Sequence, residues 1–265
     1  MMTTEQLQVE TPAVFAEGPV HEVSKKYTFI PTTQLIADFE KLGWHVERAR
    51  QQKSKKRFFT KHMLVLRSPQ FPSINGFFPE LIMVNSHDRT SSFSFQIGLF
   101  RLICSNGLVV ADKIFESFRV RHIHYEFNDL EALTNIMVEN MPKVIKWITR
   151  MQAATLTNEQ QREFAVKAIA ARFKEYVDDE GDINAEAIYN AIDVDEFLQA
   201  QREEDDNPSV WAVYNRVQEK LMKGGFYRVG TKDEKKKRTR GITNIKLDVD
   251  MNKSLWQLAN EYLPN

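Results

Sequence analysis

The stretch from 44 to 85 constrains this chain most. "WHVERARQQ" alternates in the manner of a strand, "KSKKR" is a basic turn, and "FFTKHMLVLRS" is a second strand. "FPSINGFF" carries the Pro and Gly signals of a connection, and "ELIMVNS" is a third strand. Strand backbones satisfy their polar groups by pairing, so the sequence predicts a hairpin with a basic tip, followed by a third strand.

Helical signals flank this region. Thr32 or Thr33 is read as the cap of a helix running to about Leu42, with Leu35, Ile36, Phe39 and Leu42 on one face and Gly43 as its stop. Beyond the third strand, "FSFQIGLFRLICSNGLVV" places Phe95, Leu99, Leu102 and Ile103 at helical spacing. That predicts a helix in which Gly98 packs closely on the sheet and "SNG" marks the end. "LVVADKIFESFRVRHIHYEF" reads as strand with turns. From 130 to 150 and from 158 to 176 the pattern is helical, and "DDEGD" breaks it. "NAEAIYNAI" and "DEFLQA" are short helices, "SVWAVYNRVQEKLMKGG" is amphipathic and ends at Gly224 and Gly225, and "NKSLWQLANEYL" is a terminal helix. The expected class is α+β: an N-terminal twisted antiparallel sheet with packed helices, and a mainly helical C-terminal half. The expected division is a flexible leader at 1–26, an α+β core at 27–128, a helical region at 129–222, and a basic segment with a C-terminal helix at 223–265.

A 265-residue chain with 42% hydrophobic residues can fill a sizeable core. The sequence has no uninterrupted apolar run of membrane-spanning length, and its N-terminus lacks the basic-then-apolar pattern of a secretory signal. Its single cysteine, Cys104, has no partner for an internal disulfide, which fits a reducing compartment. A cytoplasmic location is the expectation.

Formal net charge is zero, yet the charges are segregated. Arg48 to Arg67 holds eight Lys/Arg and no acid, whereas Lys223 to Arg240 holds eight against Asp233 and Glu234. Acid gathers in "DDEGD" (178–182) and "EEDD" (203–206). Lysine and arginine displace counterions from phosphates, and aromatic faces stack on unpaired bases. Both basic segments carry adjoining aromatics. Lys53, Lys55, Lys56, Arg57 and Lys61 are therefore candidate phosphate contacts with Phe58 as a stacking ring. Lys235, Lys236, Lys237, Arg238 and Arg240 form a second clamp with Tyr227.

Catalytic and metal readings are weaker. In "NSHDRTSS", His87 and Asp88 are adjacent, so on an extended chain they point to opposite faces and do not pair. Asn, Ser, Asp and Thr are also the residues that satisfy backbone groups at turns and helix starts, so the cluster is read as closing a strand and capping a helix. His122 and His124 share a strand face, and His87 with Asp88 would complete a set, but no metal-ligand spacing motif occurs. Walker and dinucleotide glycine patterns are missing too. The expectation is no catalytic residue, no metal and no cofactor.

Several segments carry a family resemblance: "YTFIPT", "FFTKHMLVLR", "ELIMVNSHDRTSSFSFQIGLFRLICSNGLVV", "VYNRVQEKLMKGG" and "RTRGITNIKLDVDMNKSLWQLA". From about Tyr27 onward the chain resembles a phage and plasmid family of unknown function typified by the enterobacterial prophage proteins YafZ and YfjQ. The resemblance implies mobile-element biology and assigns no catalytic residue. In shape alone, a helix, a twisted sheet and a basic hairpin are similar to the core of phage single-strand annealing proteins such as RecT, Redβ and Erf, which form rings or filaments and bind DNA without nucleotide hydrolysis.

The resulting expectation is a phage- or plasmid-encoded nucleic-acid-binding protein. Single-stranded DNA would be its partner, in annealing during recombination or replication, and it would assemble as a homo-oligomer. The alternative is a mobile-element factor that binds a host protein, as an anti-defence or regulatory inhibitor.

Overall fold

A computed structural model describes residues 1–20, 29–71, 73, 77–88, 93–101, 106–109, 127–230 and 235–264. The chain forms two compact units, Met1–Pro142 and Lys143–Asn265.

The first unit is built on a five-stranded antiparallel meander in chain order: β1 (His45–Gln51), β2 (His62–Arg67), β3 (Phe77–Asn85), β4 (Ser94–Arg101) and β5 (Asn106–Val109). The β1–β2 hairpin pairs His45 with Arg67 and Gln51 with His62, with one register shift between Val46 and Arg48. In β3, an inner strand paired on both edges, Leu81 to Val84 form a continuous buried run, so side chains on both of its faces are covered there.

That inner position explains the first correction. The stretch from Ser94 to Arg101 is strand β4, not helix; it pairs with β3 from Phe77↔Arg101 to Val84↔Ser94. The helical spacing of its apolar residues is overridden because β3 needs a partner along its second edge for its backbone groups. Leu102 to Ser105 lie outside the described residues, and Asn106–Gly107 begin β5 rather than stop a helix.

A second correction concerns the leader. Residues 1–20 are packed, beginning with α1 (Thr4–Glu10), which Thr3 and Gln6 close as a capping box. A 3-10 turn over Pro12–Phe15 follows, and α1 and this turn pack on β1 and on α2 (Thr32–Lys41). Leu7, Ala13 and Val14 are buried there, and the Met2 amide donates to the Val46 carbonyl. Residues 21–26 lie outside the described ones.

Helix α2 begins where expected, but Thr32 sits inside it; Pro31 is the N-cap residue and supplies no side-chain cap. Leu35 and Phe39 are buried, with Phe39 set edge-on to Phe95 of β4. Gly43 has φ +79° and makes the turn that brings Trp44 into the core.

The second unit is helical, as the C-terminal pattern predicts. Helix α3 (Phe127–Ala153) runs into it and carries Pro142 within its length. Then come α4 (Asn158–Arg172), α5 (Ala185–Ala191), α6 (Val194–Leu198), α7 (Val210–Lys223) and α8 (Ile245–Glu261). Helix α4 is central. Ala165, Val166, Ala168, Ile169 and Ala170 are buried almost all round, and α5, α6, α7 and α8 each pack on it. The Thr157–Gln160 capping box starts α4, and the Ser209 hydroxyl caps α7. Between α7 and α8, the buried Gln218 amide donates to Asn252 Oδ1 at 3.0 Å, so this polar pair leaves those groups satisfied.

The basic segment between α7 and α8 contains a two-stranded ribbon of β6 (Tyr227–Val229) and β7 (Lys236–Arg238). Gly224 and Gly241 let its stem close. A Cβ on Gly224 would stand 2.6 Å from the Arg240 carbonyl carbon, and one on Gly241 would stand 2.9 Å from the Lys223 oxygen. Helix α8 starts at Ile245 with Asn244 as its cap, well before the predicted start at Asn252.

Candidate functional site

The two predicted basic segments fall in different units. In the first, the β1–β2 turn exposes Lys53, Lys55, Lys56, Arg57 and Phe58, with the Arg57 guanidinium 5.8 Å from the Phe58 ring. The turn has internal bonds: Lys56 N donates to Ser54 Oγ at 3.1 Å, and Gln51 Nε2 donates to the Arg57 carbonyl at 3.1 Å. Lys61 departs from expectation. It is buried, 7% exposed, immediately before β2, so it does not present its side chain with the four tip cations.

The remaining cations of this stretch are committed to the sheet. Arg48 and Arg67, from β1 and β2, each place a guanidinium nitrogen 2.7 Å from an oxygen of Glu80 on β3, whose side chain is fully buried. Burial holds the Glu80 carboxyl above its ordinary value, while the Arg48 and Arg67 charges and hydrogen bonds pull the other way. Arg67 also covers the Phe78 ring at 4.5 Å. The apparent charge segregation of Arg48 to Arg67 is thus partly undone by an acid more than a dozen residues further on.

Beneath the turn lies a buried polar cluster. Thr32 Oγ1 sits 2.8 Å from His62 Nε2, 3.2 Å from His87 Nε2 and 3.1 Å from Asn85 Nδ2. His62 Nδ1 is 3.0 Å from the Thr60 carbonyl, an acceptor only, so Nδ1 carries the proton and Nε2 accepts from the Thr32 hydroxyl. The threonine oxygen then accepts from Asn85 and from His87 Nε2–H. Desolvation drops the His62 pKa to about 4, against smaller opposing effects of the Thr60 carbonyl and Asp88. The His87 amide donates to the Phe59 carbonyl at 2.9 Å, and its carbonyl accepts from Val20 at 3.0 Å.

"NSHD" therefore closes β3, but the next described element is strand β4 rather than a capped helix. Its histidine is fully buried and holds backbone segments together. The one sequence signal for His62 is its place in the alternation with Leu64 and Leu66, which marks an inward position. Among the described residues no group of three His, Cys, Asp or Glu could hold a metal ion; Cys104, His122 and His124 lie outside them. Among the described residues no helix is long and apolar enough to cross a membrane.

The second basic segment is more open. Lys235, Lys236, Lys237, Arg238 and Arg240 are all exposed, and Tyr227 is 50% exposed with Lys236 Nζ 5.3 Å from its ring centroid. The ladder continues past the strands through Gly225 N to the Thr239 carbonyl and Thr239 N to the Phe226 carbonyl, which fixes the ribbon on α7. Phe226 anchors its root in the core, edge-on to Phe197 at 5.0 Å.

A cavity opens on each side of the ribbon, each of about 740 Å³. The first has α5 and α6 as its far wall, with Tyr189 (49% exposed), Asp193 and Asp195 among its lining. Its Glu219 is held near pKa 2 chiefly by the Arg202 hydrogen bond, then by Lys223. The second is lined by Arg172, Arg228, Lys237, Arg238 and Arg240, and the described lining residues include no carboxylate.

The model of a family described as "Domain of unknown function (DUF932)" matches residues 19–256. Two Escherichia coli (strain K12) proteins are similar: UPF0380 protein YafZ, 31% identical over 266 residues, and UPF0380 protein YfjQ, 30% identical over the same length. Each alignment covers 99% of this chain and 92% of the relative. No solved structure matches. Matched over nearly its whole length, the chain belongs to the DUF932 family of proteins of unknown function.

Proposed function

We propose that this chain is a nucleic-acid-binding protein of a phage or plasmid that holds single-stranded DNA during annealing in recombination or replication. The observation that carries this reading is the pairing of Tyr227 with Lys236 on an exposed basic ribbon. A half-open aromatic ring within about one nucleotide's reach of ammonium and guanidinium groups offers a base a stacking face and its phosphate a counter-charge. The four tip cations around Phe58 in the first unit supply a second patch of the same composition. Binding of this kind is salt-dependent and nearly indifferent to sequence.

The test is fluorescence anisotropy of labelled single-stranded and duplex DNA over a salt series. It uses the wild type, a Lys236→Gln/Lys237→Gln variant and a variant with Lys53, Lys55, Lys56 and Arg57 changed to Gln. Salt-dependent binding to the single strand, weakened by the ribbon variant, supports the reading. No binding even at low salt sinks it.

An alternative is a factor that engages a host protein through its acidic surface. The exposed Asp178–Asp182 turn, closed by a 2.7 Å bond from the Asp182 amide to the Asp178 carboxylate, favours it. That reading predicts a stable protein complex and no DNA retention.

A further inference from the structure

The cavity between the ribbon, the end of α4 and the start of α8 is a distinct feature. Five cationic residues line it from three places in the sequence: Arg172, Arg228, and Lys237, Arg238 and Arg240 of the ribbon, of which Arg238 turns its guanidinium to the Gly225 carbonyl at 3.1 Å on the side of the other cavity. Two guanidiniums share the Phe173 ring as a floor, Arg172 at 5.0 Å and Arg228 at 4.4 Å. Arg228 is bound to Glu175, so that carboxylate offsets one charge of the group. Arg172 donates to the carbonyls of Leu221 and Arg240, which ties the pocket wall to α7 and to the ribbon's exit. Burial, with Arg228 adding like-charge repulsion, lowers the Arg172 pKa to about 10. An anion would relieve that repulsion, and none of the described lining side chains is acidic.

The start of α8 adds to the same field. Thr243, Asn244 and Leu247 line the cavity at the N-terminal end of a 17-residue helix, whose dipole is positive there. Phe173, Ile242 and Leu247 give the cavity an apolar part. A site with this much positive charge at one concave point, rather than along a track, suits a dianion better than the single charges of a phosphodiester chain. Its volume of about 740 Å³ leaves room for an organic body attached to the anion.

We propose that this pocket binds a phosphate monoester, with the dianion on the arginine and lysine side chains and the attached carbon body on the Phe173 side. The monoester is either the terminal phosphate of a nucleic-acid strand or a free phosphorylated small molecule. This site does not depend on the ribbon gripping a strand.

The test is isothermal titration of the full chain at fixed ionic strength. The probes are inorganic phosphate, thymidine 5′-monophosphate, and tetrathymidylate with and without a 5′-phosphate. The 5′-phosphorylated tetramer should bind at least about tenfold tighter than its 5′-hydroxyl form, the scale of one charge-assisted bidentate contact. The preference should vanish in Leu247→Glu, which places a carboxylate at an exposed pocket residue, and in Lys237→Gln/Arg240→Gln. If the mononucleotide binds as tightly as the phosphorylated tetramer, the ligand is a small molecule; if only the tetramer binds tightly, it is a strand end. Equal binding of the two tetramers without binding of the mononucleotide would overturn the site, as would a preference that survives both folded variants. Loss of tetramer binding in Tyr227→Ala with mononucleotide binding intact would bear on the ribbon and leave this pocket standing.

Discussion

Thr32 and His62, 30 residues apart, meet at 2.8 Å between Oγ1 and Nε2 in the buried interior of the first unit. The hydroxyl at the start of α2 is therefore used across the fold rather than to cap its own helix. Because the Thr60 carbonyl fixes the proton on His62 Nδ1, the pair has one arrangement of hydrogens when His62 is neutral. Protonating His62 adds a second N–H facing an oxygen that already receives donors from Asn85 and His87.

This pair sets an acid limit on stability. His62 titrates at about 4 in the folded chain against 6.5 as its ordinary value. As pH falls below 6.5 the unfolded chain takes up the proton first, so stability is full above 6.5 and declines until pH 4. The loss from this one group is about 3 kcal/mol. Urea unfolding at pH 7.5 and 4.5 should show most of it. A His62→Gln variant, less stable at pH 7.5, should lose much less between the two pH values; an equal decline in both would assign the effect to other groups. Thr32→Val removes the hydroxyl that serves three partners, and should cost about 2 kcal/mol at pH 7.5 by stranding buried polar groups.

Glu80 offers a second probe of the first unit. It is a buried carboxylate between two guanidiniums, and its neutral form is favoured by burial alone. Removing it leaves Arg48 and Arg67 with less compensation inside the sheet. Glu80→Ala should destabilise by about 3 kcal/mol, the usual scale for breaking a buried pair from one side. A change below about 1 kcal/mol in chemical denaturation would show that Glu47 and solvent take up both arginines.

How far the sequence reveals this fold depends on how local each cause is. The β1–β2 hairpin and α7 are legible because their alternation, their helical period and the Gly224 stop lie within a short window. Strand β4 is not, since Phe95 and Leu99 fit a helix equally well and the choice is made by β3's open edge. Helix α1 is misread as unpacked because Leu7 becomes a core residue only against the strand that follows much later. The ribbon cations are legible as a charge run, and the run does not reveal that they form an antiparallel pair beside Tyr227. The burial of Lys61 is not legible, because a charge count does not say which way a residue next to a strand faces. The pocket is legible only in its half that belongs to the 235–240 run: Arg172 and Arg228 are isolated arginines that the α4 terminus and the ribbon bring beside it.

The ribbon's stem is a point of backbone contact that a single methyl group tests. Gly224 has φ +71°, and a Cβ there would meet the Arg240 carbonyl carbon at 2.6 Å, well inside van der Waals contact. Gly224→Ala should therefore cost about 2 kcal/mol or displace the ribbon from the end of α7. Gly181→Ala is the control, since its φ is also positive at +94° and no atom lies within 4 Å of the added carbon. The difference between the two melting temperatures isolates the close approach from the backbone conformation, and equal losses would show that the stem relaxes.

The ribbon residues separate stacking from charge. If Tyr227 takes a base on its open ring, Tyr227→Ala should weaken binding to oligothymidylate about tenfold, while Tyr227→Phe, which keeps the face, should change it less than twofold. The salt dependence in both should stay that of wild type, because no phosphate contact is lost. Lys236→Gln should behave differently: the slope of log K against log salt should become shallower by about 0.7, the single-strand value for one phosphate neutralised. Lys236 also stands 5.3 Å from the Tyr227 ring, so the double variant should lose less than the sum of the singles. If both single variants left affinity and slope at wild-type values, the exposed tyrosine and its ammonium would be surface groups, and strand binding, where observed, would belong to the Lys53–Phe58 turn.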